Sequence, residues 1–272
     1  MNYSVLMSVY AKEKPEYLKE AMESMWNQTM PTDNFVLVCD GPLTEELDAV
    51  IEQMKQKHTK ELHVIRLEEN QGLGKALNIG LKKCRNELVA RMDSDDISRK
   101  DRCERQLRVY EERPDISIVS GTIEEFYETK EKIEAKRVLP ENQKEILKFA
   151  RYRNPFNHMA VMYKKSAVEA VGSYQDFFLL EDYFLWIRML NAGCIAYNTK
   201  EPLVWARTGK GMYHRRGGRK YFQSQKALFK YMRSEHMIDS FGYLRSVSSR
   251  FINALMPSEW KECIYKCFLR ER

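Results

Sequence analysis

The chain has 272 residues, 43% of them hydrophobic and 31% charged, with 12 Gly and 8 Pro, which suffices for a full core and excludes disorder as its main state. No run of about 18 apolar residues occurs, and the N-terminal MNYSVLMSVY has no basic region ahead of a long apolar stretch; a membrane span and a secretory leader are therefore not expected, and a cytoplasmic protein is. The net charge of +6 is unevenly placed: residues 207–272 carry 15 Lys+Arg against 5 Asp+Glu, about +10, leaving about −4 for residues 1–206.

YSVLMSV (3–9) reads as a buried strand, followed by a helix that Pro15 opens and whose apolar face is Leu18, Ala21, Met22, Met25 and Trp26. FVLVC (35–39) is the second strand; it ends at Asp40-Gly41-Pro42, and a second helix follows behind Thr44 as its cap. LHVIRL (62–67) is the third, with a helical stripe from Leu73 to Cys84 after the turn EENQGLG. ELVARM is the fourth, and Ser98-x-x-Asp101 has the pattern of a capping box opening a helix that runs to about Glu112. Strands alternating with helices predict an α/β domain on a doubly wound, mostly parallel sheet, whose ligands sit outside the carboxyl ends of the strands.

Past residue 115 the alternation loosens. DISIVSGTIEEFYE reads as a strand, TKEKIEAKRV as a charged hairpin or loop, and NHMAVMYKKSAVEAVGSY as a strand leading to a short helix. EDYFLWIRMLNAG predicts a buried helix closed by Gly193, with Glu181 and Asp182 at its N-terminus. Beyond about 206 the chain reads as basic amphipathic helices, with Phe241, Leu244, Val247, Phe251, Ile252 and Leu255 at helical spacing. The six cysteines are scattered without a CxxC pair and read as reduced thiols; Cys263 and Cys267 are a weak zinc signal with no His pair nearby.

Chemistry gathers at the predicted strand ends. Asp93, Asp95 and Asp96 fall within four positions, and carboxylates so crowded repel unless a cation sits among them; oxygen ligands suit Mg²⁺ or Mn²⁺, which commonly bring a substrate phosphate as well. An acidic turn before the next helix is the plainer account. Glu181-Asp182 suits a general base at the mouth of an apolar pocket, or simply acids favoured by a helix macrodipole. His158 is a candidate for lining a second-substrate site or a hydrogen-bonded core residue. HRRGGRK (214–220) is a phosphate-covering loop or a solvated basic turn.

SVLMSVY, VLVCDGP, NQGLGKALNIGL, ARMDSDDIS and LLEDYFLWIRML, in this order and at these separations, resemble the family 2 glycosyltransferases of GT-A fold, and most of all bacterial enzymes of capsule, exopolysaccharide or O-antigen assembly. The resemblance covers roughly residues 3–206. It implies a Rossmann-like, mostly parallel sheet flanked by helices: a catalytic domain over 1–206, its nucleotide-binding half about 1–114 and its acceptor half about 115–206, with 207–272 as a helical extension. It further implies Asp95 as principal metal ligand, Asp93 on the metal or ribose, Ser94 within the same motif, Asp40 on the uracil, and Ser8, Val9 and Tyr10 bordering base and ribose. Lys75 would lie near uracil or phosphates, Asp182 would be the base with Glu181 orienting the acceptor, and His214 would be a third metal ligand or phosphate contact. Ser8 departs from the family's usual Pro.

The implied reaction moves a hexose or N-acetylhexosamine from a UDP-sugar to a saccharide hydroxyl with inversion, using Mn²⁺ or Mg²⁺. The acceptor is read as polyprenyl-diphosphate-linked, with peripheral contact at the inner face of the cell membrane and no nucleic acid. Two other classes compete. A nucleotidyltransferase of sugar phosphates would share the sheet, metal and carboxylates but needs a Gly-rich basic loop after the first strand, where VYAKEKPEY has no Gly. A non-catalytic nucleotide-sugar-binding protein would be expected to lack the acids present here.

Overall fold

A computed structural model describes the backbone of residues 1–209 and 218–255 and the side chains of residues 1–209 and 218–252. In the first half, β1 (Tyr3–Val9), α1 (Pro15–Trp26), β2 (Asn34–Cys39), α2 (Glu45–Lys57), β3 (Leu62–Arg66), α3 (Leu73–Leu81) and β4 (Leu88–Met92) alternate. A two-residue β5 (Ile97–Ser98) and α4 (Arg102–Glu112) follow. The second half holds β6 (Ile116–Phe126), β7 (Ile133–Arg137), α5 (Gln143–Ala150), a 3-10 turn at His158–Ala160, β8 (Met162–Lys164), α6 (Lys165–Ala170), α7 (Glu181–Asn191) and β9 (Ile195–Arg207). Two helices, α8 (Gly218–Ser234) and α9 (Ser240–Leu255), complete it.

The nine strands among the described residues share one sheet, in the order β3-β2-β1-β4-β8-β6-β9-β5, with β7 added to β6. The β3-β2-β1-β4 part is parallel, as the alternation predicts; β8 enters antiparallel, so the sheet is mixed beyond β4. Register sets the working edge. Val9 pairs with Cys39 and Met7 with Met92, so Tyr10, Asp40 and Asp93 all leave the sheet at the carboxyl ends of neighbouring strands.

Alternation along β1 sorts two cores. Tyr3, Val5, Met7 and Val9 pack with the apolar faces of α1, α2 and α4, whereas Leu6 joins Val36, Val38, α3 and α7 on the other side. α7 is the centre of the second core: Trp186 is fully buried and meets the rings of Phe156, His158, Tyr163 and Tyr174. It ends in a Schellman motif, with Gly193 at φ 84, Gly193 N–H on Leu190 O and Cys194 N–H on Met189 O.

The Ser98-x-x-Asp101 capping box does not form. Ser98 lies in β5 paired with Val204 of β9; its N–H donates to Ser24 Oγ and its Oγ accepts from Gln28. Those contacts take Ser98 for the sheet, and α4 starts at Arg102 behind an Asp101 that makes no side-chain cap. Thr44, by contrast, caps α2 through Leu47 N–H at 3.3 Å. Cys39, Cys84, Cys103 and Cys194 are free thiols, the first three buried; Cys263 and Cys267 lie outside the described residues.

Candidate active site

The acidic turn after β4 is the densest charge in the cleft. Asp93, Asp95 and Asp96 can each offer an oxygen within 4.8 Å of the others. Burial, then Asp93 and Glu13, push Asp95 up to about 7, and Asp96 is raised well above the usual carboxylate range by burial and its two acidic neighbours. Carboxylates that burial first and mutual repulsion second keep from ionising freely are a donor set that a divalent cation relieves, so these residues fit the implied metal.

Three residues that the sequence reading passes over shape this turn. Arg91, 1% exposed in the middle of β4, pairs with Asp93. Its Nε and Nη1 have no hydrogen-bond partner among the described residues. Glu13, in the loop after β1, accepts from Ser94 Oγ at 2.7 Å and is a fourth carboxylate beside Asp95. Arg207, the last residue of β9, donates its N–H to Asp96 Oδ1 at 2.7 Å and its Nε to Asp95 O at 3.0 Å. Its guanidinium lies over Tyr17 and pairs with Glu20. The signal for Arg91 was available, a charged residue inside an apolar run; Glu13 and Arg207 are identified only by tertiary contacts.

At the end of β2, Asp40 is 5% exposed and uses its carboxylate on the loop before α3: Oδ1 accepts from Gln71 N–H at 2.7 Å and Oδ2 from Gly72 N–H at 3.0 Å. Gly41 and Gly72 both sit at φ 88, and at Gly41 an added Cβ would lie 2.7 Å from Asn70 N. Asp40 therefore holds the glycine loop as well as facing the cleft edge. Ser8 is partly exposed, Val9 buried and Tyr10 38% exposed at the end of β1, and Val9 O accepts the N–H of Asp40. Lys75 points to solvent from the first turn of α3.

The N-terminus of α7 supplies the second acidic group. It follows Leu179, a non-glycine residue at φ 59, a conformation that costs about 1 kcal/mol or more and that the surrounding packing must impose. Asp182 Oδ2 accepts from Asn154 Nδ2 at 2.6 Å and Oδ1 from Tyr183 N–H at 2.7 Å. Burial raises its pKa, while those hydrogen bonds and the charges of Arg91 and Arg137 oppose the rise. Glu181 is pushed up to about 7 by burial, then by Asp182 and Asp176. Its Cγ lies 3.2 Å from where a Cβ on Gly74 would be, so the N-termini of α3 and α7 meet. Asn78 of α3 and the backbone of Tyr174 exchange two hydrogen bonds that tie α3 to the loop leading into α7.

The structure thus brings Ser8, Val9, Tyr10, Asp40, Asp93, Ser94 and Asp95 to one sheet edge. The Arg91 charge acts on both Asp93 and Asp182, which links the two acidic groups. His158 bonds the Tyr174 hydroxyl at 3.0 Å and packs edge-on to Trp186; burial and Arg91 hold its imidazole well below its ordinary pKa, the behaviour of a packed aromatic residue. His214, Arg215 and Arg216 lie outside the described residues. Lys220 starts α8 with its Nζ 4.1 Å from the centre of the Phe178 ring, near the start of α7.

The Glycosyl transferase family 2 profile matches residues 4–173, which span β1 to the end of α6 and include the whole acidic turn. The chain belongs to glycosyltransferase family 2. An uncharacterized glycosyltransferase of Haemophilus influenzae is 41% identical over 271 residues, 100% of each chain. The UDP-Gal:alpha-D-GlcNAc-diphosphoundecaprenol beta-1,3-galactosyltransferase of Escherichia coli is 37% identical over 270 residues, 98% of this chain and 96% of that one. Among solved structures, S. aureus TarS 1–349 in complex with UDP-GlcNAc superposes with a TM-score of 0.70 at 17% identity, covering 98% of this chain and 79% of that one. The mannosyltransferase PcManGT from Pyrobaculum calidifontis, in complex with GDP-Man and Mn2+, gives 0.65 at 15% identity over 96% and 78%. These two share the GT-A type fold with this chain, and family membership sets the nucleotidyltransferase reading aside.

Proposed function

We propose that this glycosyltransferase moves a hexose or N-acetylhexosamine from a UDP-sugar, with inversion, to a hydroxyl of a polyprenyl-diphosphate-linked saccharide during surface polysaccharide assembly. It works in the cytoplasm, peripherally at the inner membrane face. The observation that carries the reading is the pairing of two acidic groups with different hydrogen-bonding: the crowded Asp93–Asp96 turn at the sheet edge, and Asp182 fixed by Asn154 at the head of α7. The Escherichia coli relative's name, a galactosyltransferase acting on a diphosphoundecaprenol-linked sugar, supports the acceptor class.

Asp40 and the loop it braces border the uracil, Ser8, Val9 and Tyr10 the base and ribose, and Ser94 and Lys75 the ribose and phosphates. Asp95, Asp93 and Asp96 would hold a divalent cation, Mn²⁺ or Mg²⁺, which when bound would supply positive charge for the diphosphate leaving group. His214 is a further contact of that group. Asp182 takes the proton of the acceptor hydroxyl while its oxygen lone pair forms the new bond to the anomeric carbon and the carbon–oxygen bond to the diphosphate breaks. Glu181 orients the acceptor. The raised pKa of Asp182 matches this role, because a carboxylate that is too acidic is a poor base.

The test is release of nucleotide from a panel of UDP- and GDP-sugars with a polyprenyl-diphosphate-linked N-acetylhexosamine acceptor, with Mn²⁺ or EDTA, for the wild type, Asp95→Asn and Asp182→Asn. Metal-dependent turnover confined to the wild type is expected. Turnover in EDTA, or an unimpaired Asp182→Asn enzyme, overturns the assignment.

A further inference from the structure

An amphipathic helix packed on a core ordinarily buries its large apolar residues and turns its small and polar ones outward. α9 does the reverse. Gly242 and Ser246 are buried against the rest of the protein, with Tyr243 and Val247 partly buried beside them. Phe241, Leu244, Phe251 and Ile252 are 72%, 61%, 50% and 61% exposed. At 3.6 residues per turn these four share one arc of about 100° with Ser248 between them, so they form a continuous stripe on the outer side of the protein.

The charge on this helix pair is mostly of one sign, Glu235 and Asp239 in the turn between the two helices being its exposed carboxylates. Neither α8 nor α9 contains an Asp or Glu, whereas α8 carries five Lys or Arg and α9 two. The cations of α8, among them Lys226, Lys230 and Arg233, are exposed. An apolar stripe on a helix pair that carries seven cations against two carboxylates over residues 218–255 complements one surface in particular, the interface of a bilayer containing anionic phospholipids.

The seat of α9 adds a position. Arg250 Nη2 donates to Tyr152 O at 2.6 Å, and the Arg245 guanidinium lies 4.5 Å from the centre of the Tyr152 ring. Tyr152 is two residues from Asn154, which holds Asp182. The stripe is thereby tied to the strand of chain that positions the acceptor side of the cleft.

We infer that the outer face of α9, with Phe241, Leu244, Phe251 and Ile252 entering the lipid and the α8 cations on the headgroups, docks this protein on an anionic membrane and sets the Asp182 side of the cleft toward the lipid surface. The orientation rests on the lipid-linked acceptor proposed above; the docking itself does not. Full-length protein, without any sugar nucleotide, is sedimented with vesicles of phosphatidylethanolamine plus phosphatidylglycerol and with vesicles of phosphatidylcholine alone. Binding to the first and little to the second is expected, weakened by added salt.

The variant Phe241→Ser, Leu244→Ser, Ile252→Ser should lose about tenfold or more in vesicle partition, while its turnover of a water-soluble acceptor and its circular dichroism stay at wild-type values. Turnover of a polyprenyl-linked acceptor embedded in the vesicles should fall with partition. Equal partition of variant and wild type, or no vesicle binding by the wild type, overturns the inference. So does a wild-type dimer in analytical ultracentrifugation that the variant abolishes, since a second copy then covers the stripe. Vesicle binding as expected with no transfer to any acceptor leaves the surface standing and removes the catalytic reading alone.

Discussion

Replacing Glu181 by Gln should make the protein more stable at pH 8 and no more stable at pH 5. Glu181 titrates at about 7 in the folded chain, because burial and the neighbouring Asp182 and Asp176 disfavour its charge, and at about 4.3 to 4.5 when unfolded. The folded state therefore binds the extra proton. Its contribution is fully present below the unfolded value and is lost as the pH rises through 7. Converted at about 1.4 kcal/mol per pH unit the difference is about 3.5 kcal/mol, and partial solvent access to the side chain reduces it to about 2 kcal/mol. Gln keeps the shape and carries no charge at any pH. In a chain of this size about 2 kcal/mol is about 4 to 6 °C in melting temperature. Thermal unfolding of both proteins in EDTA across pH 5 to 8.5 should give curves that meet on the acid side and separate on the basic side, variant above wild type. Parallel curves would refute the reasoning.

Mn²⁺ should raise the melting temperature of the wild type, more at pH 8 than at pH 6, because the cation competes with protons on Asp95, which titrates at about 7; Asp95→Asn should abolish the shift in the same thermal assay. Asn154→Ala removes the 2.6 Å bond to Asp182 and should lower kcat about tenfold with an unchanged KM for the nucleotide sugar. Gly41→Ala should destabilise the fold by about 2 to 3 kcal/mol, since it meets both the φ of 88 and the backbone of Asn70. Gly72→Ala, at the same φ but with nothing within 4 Å, should cost only about 1 kcal/mol by chemical denaturation.

The first half of the fold is readable in the sequence because β1 to β4 and the helices between them obey one period at a time, and carboxylates at the ends of such strands have nowhere to go but the edge. Asp40, Asp93 and Asp95 are legible on that ground, and Glu181 and Asp182 as the acids that head the helix EDYFLWIRMLNAG. β9 is not legible in the same way: IAYNTKEPLVWAR carries a Pro, which normally argues against a strand inside a sheet. The structure accommodates it where the pairing with β6 slips, Thr122 standing opposite Pro202. Ser98 shows the opposite failure, a good local signal overruled by partners at Ser24, Gln28 and Val204. Arg207 and Glu13 lay out of reach for a similar reason, because their roles exist only through contacts made 81 to 112 residues away.

That long reach has a consequence for how the enzyme comes into being. Asp96 and the backbone N–H of Arg207 that steadies it are 111 residues apart in the chain. At the speed of synthesis, about 5 to 20 residues per second, the acidic turn leaves the ribosome roughly 5 to 20 s before its clasp does. Until β9 has entered the sheet beside β6 and β5, the acids of that turn stand without their closing contact, so the acidic edge of the first half is completed only when the second half has been built.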